Sequence, residues 1–268
     1  MKFSCIFPIY FKSTILDVKV SFMSILNQSL KANEIIVIYD GPINNEIISF
    51  FESLRKHQQI KIIKFKKNLG LGAVLKKIIK QTKYNIIIRA DSDDVNKKHR
   101  FKTLINFFKK NPKVDIVGSY VHERYKKNLY IKRLPLNNDD IVNMITYKNP
   151  INHPSVAFKK KKILECGGYE KVPFFEDYYL WFKLVHSCAK FQNINKVLVT
   201  SNINNQFYLR RSGFKYFMSY FFFLKKIYSK KYINTNQFLI NFLIRFSLYN
   251  MPSLIFKFFY KYLNNRTI

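Results

Sequence analysis

The order of apolar patterns along the chain predicts an α/β fold, a Rossmann-like, mostly parallel sheet flanked by helices. Three observations carry this. Runs at 3–7, 35–39, 60–65 and 85–90 are short, rich in β-branched residues and almost continuously apolar, as strands buried on both faces are. The segments between them repeat apolar residues at helical spacing, and alternation of the two patterns is the mark of βαβ units. A chain of 268 residues, 48% apolar and with only seven Gly, has the material for one good-sized core, which excludes a disordered or loop-dominated protein.

After the first strand, Ile15, Val18, Phe22, Ile25 and Leu26 fall on one helical face that Ser13 or Thr14 can cap. Helices over 44–57 and 71–81 separate the next strands. A fourth covers 97–110, with Phe101, Leu104, Ile105 and Phe108 on its stripe, and stops before Asn111-Pro112. Beyond Pro112 the pattern turns irregular: a strand near 114–117, extended chain over 120–134, a helix at 138–147 and a strand at 155–158, which together predict mixed topology. A helix follows at 176–187, and two or three basic, aromatic helices lie past Asn205. The expected division is a main domain over 1–205, with halves at about 1–112 and 113–205, and a helical extension over 206–268. No internal repeat or low-complexity linker breaks it.

The formal charge of +31 favours polyanionic partners such as nucleic acid, anionic headgroups or diphosphates, although A/T-rich codons also enrich Lys, Asn, Ile, Phe and Tyr. Its distribution is more informative. All sixteen carboxylates lie at or before Asp177, and residues 178–268 hold fourteen Lys or Arg. Large apolar residues at 217–224 and 254–260 interleave with them, a mixture suited to an anionic membrane surface. The most apolar run, 238–259, is interrupted by Arg245, Asn250, Pro252 and Lys257, which argues against a spanning helix. Cys5, Cys166 and Cys188 stand far apart, so neither a disulfide framework nor a zinc site is expected. No secretory signal is read at the N-terminus.

The candidate site residues sit where strands are expected to end. Asp91-Ser92-Asp93-Asp94 follow directly on the apolar run through Ile88 and Arg89, and ligands of open α/β sheets bind at the carboxyl ends of strands. Three carboxylates in four residues repel one another, and a hard divalent cation with oxygen ligands relieves that. A plain acidic turn capping the next helix is the competing reading. Asp40 follows its strand in the same way and precedes Gly41-Pro42, as a turn residue also would. Pro8 and Tyr10 close the first strand at that edge, where they offer backbone groups and an aromatic face to a base. Amides of the Asn68-Leu69-Gly70-Leu71-Gly72 segment offer themselves to a phosphate, but Leu75 stands where a dinucleotide fingerprint needs its third Gly. Glu176 and Asp177 open an aromatic-rich helix; acids there suit the helix dipole, and apolar surroundings would raise their proton affinity. Arg210-Arg211 are a candidate clamp for a diphosphate, or a solvated pair.

Together with Phe7-Pro8-Ile9-Tyr10, Asn152-His153-Pro154-Ser155-Val156, Gly167-Gly168-Tyr169 and the helix start Glu176-Asp177-Tyr178-Tyr179-Leu180-Trp181, these positions resemble the family 2 glycosyltransferases of the GT-A fold. The likeness spans about 2–215 and is strongest to bacterial enzymes that build amylovoran, O-antigen and capsule. It implies that Asp91 and Asp93, Asp93 foremost, hold Mg²⁺ or Mn²⁺ against the diphosphate of a UDP-sugar, and that Asp40 reads the uracil, with Pro8, Tyr10, Asn68, Gly70 and Arg89 on the donor side. Asp177 would be the base in an inverting transfer of one hexose or N-acetylhexosamine. The acceptor would be a polyprenyl-diphosphate-linked saccharide in surface polysaccharide biosynthesis. His153, Glu176, Arg210 and Arg211 would serve the acceptor or a diphosphate. The enzyme would be cytoplasmic, peripheral on the inner face of the plasma membrane. The chain departs from the family at Tyr39, where an Asp is common, and at Leu75-Lys76, where Arg-Asn is usual. It also lacks the QxxRW of processive relatives, which favours single-sugar addition.

Two rival readings remain open at this level: a basic, metal-dependent nucleic-acid-binding or nucleotidyl-transferring protein, and a non-catalytic membrane scaffold. No helix-turn-helix, RRM or zinc-finger pattern supports the first, so no nucleic-acid partner is expected. The intact Asp91, Asp93 and Asp177 oppose the second.

Overall fold

The computed structural model describes residues 1–54, 59–203, 205–249, 251 and 266–267. Its first half is a parallel sheet in the order β4-β1-β2-β3, from β1 (Phe3–Tyr10), β2 (Glu34–Asp40), β3 (Ile60–Lys64) and β4 (Ile86–Arg89). Four helices connect them and lead on: α1 (Ile15–Leu26), α2 (Asn45–Ser53), α3 (Leu71–Gln81) and α4 (Arg100–Lys110). Side chains alternate across β1, as the pleat requires. Phe3, Cys5, Phe7 and Ile9 pack on Val18, Phe22, Phe51 and Phe101 of one face, while Ile6 joins Ile36, Ile38 and Ile87 against α3 on the other. Thr14, not Ser13, caps α1 by accepting from the Asp17 amide at 3.1 Å; the Ser13 hydroxyl accepts from Tyr10 instead.

Two expectations change here. The run at 60–65 is not buried on both faces: β3 is an edge strand with Lys61 and Lys64 exposed, charges that keep an open edge from pairing further. The helix expected over 44–57 ends at Ser53, and residues 55–58 lie outside the described residues.

The second half is mixed, as expected. The strand near 114–117 and the extended chain after it form one long β6 (Ile116–Tyr125) with its hairpin partner β7 (Asn128–Lys132). The helix expected at 138–147 is α5 (Asn138–Met144). A 3₁₀ turn at His153–Ser155 leads into β8 (Ala157–Lys159), which lies antiparallel between β4 and β6 and is followed by α6 (Lys160–Glu165). Next come α7 (Glu176–His186) and β9 (Phe191–Ile203). β9 has no counterpart in the sequence reading, because Asn193, Asn195 and Lys196 dilute its apolar residues; its strand character comes from its neighbours. It runs parallel to β6 along its length and antiparallel to the three-residue β5 (Asp94–Asn96) on its other side. The aspartate segment is thereby held between two strands, β4 and β5.

The chain past 204 continues as α8 (Asn205–Leu209), α9 (Phe214–Ser229), α10 (Thr235–Tyr249) and the short β10 (Arg266–Thr267), which pairs with β7. These helices share the core of the first 205 residues. Tyr216, Phe217, Tyr220, Phe223, Leu224 and Ile227 are buried, and the Phe223 ring stacks between Phe175 at 5.2 Å and Tyr178 at 4.8 Å. Glu170 bridges Lys183 of α7 at 2.9 Å and Lys226 of α9 at 2.7 Å. α10 packs on α9 through Phe217 and Phe242, and Asn241 donates to the Thr146 carbonyl at 3.1 Å. Much of the apolar material read as membrane-facing at 217–224 is therefore core, while 254–260 and the end of the 238–259 run lie outside the described residues. Among the described residues no helix is long and apolar enough to cross a membrane. Phe223→Ala is expected to cost roughly 3–5 kcal/mol in chemical denaturation, the usual price of a large cavity; a loss below about 1 kcal/mol would contradict a shared core.

Candidate active site

β1, β2 and β4 end at the same sheet edge, with Tyr10 paired in register to Asp40. The chain leaves β1 toward β2 and β3 on one side and returns to β4 on the other, so the crevice opens where open α/β sheets bind ligands. A cleft of about 940 Å³ occupies it. Pro8, Tyr10, Asp40, Asn68, Gly70, Arg89, Asp91, Asp93, Glu176 and Arg210 all line it. Pro8 does not close β1, which runs on to Tyr10. Alternate residues of a strand address the same neighbour, and the Ile6 carbonyl accepts from Ala90 on the β4 side at 3.0 Å. Pro8 faces that side too, beyond the last β1–β4 pair at Ile6 and Arg89, so its missing N–H costs the ladder nothing.

Asp40 is 5% exposed and its carboxylate accepts from the amides of Leu69 at 2.6 Å and Gly70 at 3.0 Å, while Asn68 Nδ2 donates to its carbonyl at 3.1 Å. Two amides that the sequence reading offered to a phosphate thus serve Asp40, which shapes the loop before α3 and keeps lone pairs for a ligand in the cleft. Gly41 has φ +89°, and a Cβ there would lie 2.6 Å from the Asn68 nitrogen, so only glycine lets the two loops meet.

Arg89 grips Asp91 with both guanidinium nitrogens, Nη1 to Oδ2 at 2.7 Å and Nη2 to Oδ1. Burial pulls against the Arg89 charge, but Asp91 overcomes it and raises the guanidinium above its ordinary value. Fully buried Arg100, lowered to about 10 by desolvation, donates to the Arg89 carbonyl at 2.6 Å and to Asn96, tying β4 and β5 to α4. Oxygens of Asp91, Asp93 and Asp94 lie within 4.8 Å of one another. Desolvation against the cleft wall, then the Asp91 charge, pushes Asp93 up to about 6; the same causes raise buried Asp94, which bonds to Ser201. Three crowded oxygen donors, with the proton affinity of Asp93 and Asp94 raised, fit a hard divalent cation. Asp94, counted in the sequence with the crowded acids but outside the Asp91 and Asp93 pair, joins them in space as the first residue of β5.

Glu176 lines the cleft, and burial followed by the Asp177 charge pushes it up to about 7. Asp177, the next residue of α7, is not itself part of the cleft lining: it is half-buried, raised by desolvation, and accepts from Asn149 Nδ2 at 2.8 Å. Asn149 went unread because an Asn in a loop carries no signal of its own. His153 does not reach the cleft wall: it is buried, pairs through Nε2 with the Tyr169 hydroxyl at 2.7 Å, lies edge-on to Trp181, and burial holds it neutral, well below its usual value. Arg210 faces the cleft, whereas Arg211 lies over the Phe207 ring at 3.6 Å. Phe11, Lys12, Phe174, Leu209 and Lys215, none foreseen, complete the walls.

A mostly parallel sheet flanked by helices, with acids gathered at its switch point beside an acidic helix start, is an arrangement of the GT-A type. The family model "Glycosyl transferase family 2" matches residues 4–168, and the chain belongs to that family and is a glycosyltransferase. It is 35% identical over 264 residues to a UDP-Gal:α-D-GlcNAc-diphosphoundecaprenol β-1,3-galactosyltransferase of Escherichia coli, covering 97% of this chain and 95% of that one. It is 31% identical over 220 residues to an amylovoran biosynthesis glycosyltransferase of Erwinia amylovora, covering 81% and 82%. S. aureus TarS has the same fold, with a TM-score of 0.65 at 16% identity over 91% of this chain, which spans 43% of that longer protein.

The folded protein holds the Glu176 proton more tightly than an unfolded chain, whose value is 4.5, so its stabilising contribution is complete below that pH and is lost as pH rises through about 7. Glu176→Gln is therefore expected to lose less melting temperature than the native protein between pH 5 and 8, in a differential scanning series. Superimposable profiles would contradict the raised proton affinity.

Proposed function

We propose that this glycosyltransferase moves one hexose or N-acetylhexosamine, with inversion, from a UDP-sugar to a saccharide carried on a polyprenyl diphosphate, in the synthesis of O-antigen, capsule or exopolysaccharide. The observation that carries this reading is the meeting, around one cleft, of the aspartate loop after β4 and Glu176 at the start of α7, with Asp177 the next residue of that helix. The galactosyltransferase relative, matched over nearly its whole length, supports the UDP-sugar donor and the lipid-linked acceptor.

Pro8, Tyr10, Asp40, Asn68 and Gly70 form the wall for the nucleotide. When bound, Mg²⁺ or Mn²⁺ held by Asp91 and Asp93, with Asp94 beside them, supplies positive charge that screens the donor's diphosphate. Arg89 balances Asp91 from the protein side. Asp177 acts as base: its raised proton affinity suits it to take the proton of the acceptor hydroxyl as that oxygen attacks the anomeric carbon, and Asn149 holds the carboxylate in place. The bond to UDP breaks on the opposite face, so the anomeric centre inverts. Glu176 stands at the cleft surface beside it, on the acceptor side, and Arg210 offers a cation to a diphosphate.

The setting is the cytoplasmic face of the plasma membrane, with the protein peripheral. Leu239, Ile240, Leu243 and Ile244 of α10 are 45–62% exposed and recur at helical spacing as an apolar stripe, in a stretch, 178–268, that holds fourteen Lys or Arg and no carboxylate; this favours an anionic lipid surface over nucleic acid.

Asp177→Asn is expected to bind UDP-sugar as the native protein does and to lose transfer by about 10²- to 10⁴-fold, the range of general-base catalysis; calorimetry and single-turnover rates separate the two. Undiminished turnover removes Asp177 from the role. Leu243→Ser with Ile244→Ser is expected to reduce co-sedimentation with anionic vesicles without changing the melting temperature, and an unchanged bound fraction would contradict the membrane contact.

A further inference from the structure

The cleft has a second wall that a sugar nucleotide leaves unexplained. Residues 173–176, before and at the start of α7, and 209–216, between α8 and α9, build it. Phe174 adopts φ +68°, an uncommon backbone state for a bulky side chain, and presents a ring that is 48% exposed, set edge-on to Tyr216 at 5.2 Å. Leu209 beside it on the same cleft is 60% exposed. Arg210 and Lys215 add two exposed cations to a wall whose one carboxylate is Glu176. A UDP-sugar has no hydrocarbon to cover Phe174 and Leu209, and its diphosphate belongs with the cation at the aspartate loop.

We propose that this wall is the subsite for the lipid end of the acceptor: Arg210 and Lys215 take its diphosphate, and Phe174 and Leu209 take the first isoprene units of its tail. The assignment rests on the lipid-linked acceptor proposed above and adds where the carrier sits. An amphiphile of that chemistry, an anionic head next to a branched hydrocarbon, matches the wall in both charge and polarity. It also explains why residues beyond 205 belong to the folded body: they supply half of the site.

The test uses the full chain and one saccharide diphosphate carrying a long polyprenyl chain, a farnesyl chain or a methyl group. The native protein is expected to gain at least about tenfold in kcat/KM from methyl to farnesyl, since burying two methylenes suffices for that. Phe174→Ser with Leu209→Ser should abolish the gain while the donor KM holds. Lys215→Ala with Arg210→Ala should raise the acceptor KM for all three compounds and keep the gain. A tail-length preference that survives in the first variant, or a rise in donor KM rather than acceptor KM in the second, overturns the subsite and leaves the acceptor class standing. Failure of the native protein to use any of the three, while it hydrolyses UDP-sugar with Mn²⁺, overturns the acceptor class and the subsite with it.

Discussion

Crowding of negative charge at the end of β4 is the constraint around which the rest of the cleft is arranged. Three carboxylates cannot share so small a volume unless something holds them there, and the fold uses several devices at once. Arg89 forks onto Asp91, Arg100 anchors the Arg89 carbonyl from below, and the β5–β9 ladder fixes Asp94 from the far side. What stays uncompensated is the proton affinity of Asp93 at the cleft, a demand for positive charge that a divalent ion and the diphosphate it carries would meet.

The same economy of parts governs the other side of the cleft. α7 supplies Glu176 and Asp177 at its first turn and a run of buried aromatics behind them, and α9 packs onto that run. The helical extension is thus joined to the helix that carries Asp177, the proposed base. Positioning at the site and stability of the C-terminal helices are consequently coupled: loosening Phe223 loosens the support of Tyr178, next to Asp177.

Much of the first half was legible because buried parallel strands write themselves as apolar runs. The ends of β2 and β4, with Asp40 and Asp91, followed from that alone, whereas β1 runs past Pro8 to Tyr10. β3 misled, since its isoleucines conceal an edge whose lysines face water. The second half was less legible: β9 exists through pairing with β6 and β5, and no local pattern announces it. The acids proposed to hold a metal could be read because they are adjacent in sequence. Asn149, Arg100 and the Phe174 wall could not, because each matters through a contact across 28 residues or more, across a sheet strand, or through an unusual φ. His153 shows the reverse case. It carries a family-like motif, yet its hydrogen bond to Tyr169 is made inside the core.

The aspartates at the rim of β4 are proposed to hold the cation that joins the protein to a nucleotide diphosphate. Calorimetric titration of UDP into the native protein and into Asp93→Asn, each with and without Mn²⁺, addresses this most directly. Binding that needs the ion, and that disappears in Asp93→Asn, is the predicted result; UDP bound equally well without the ion, or by the variant, would contradict it.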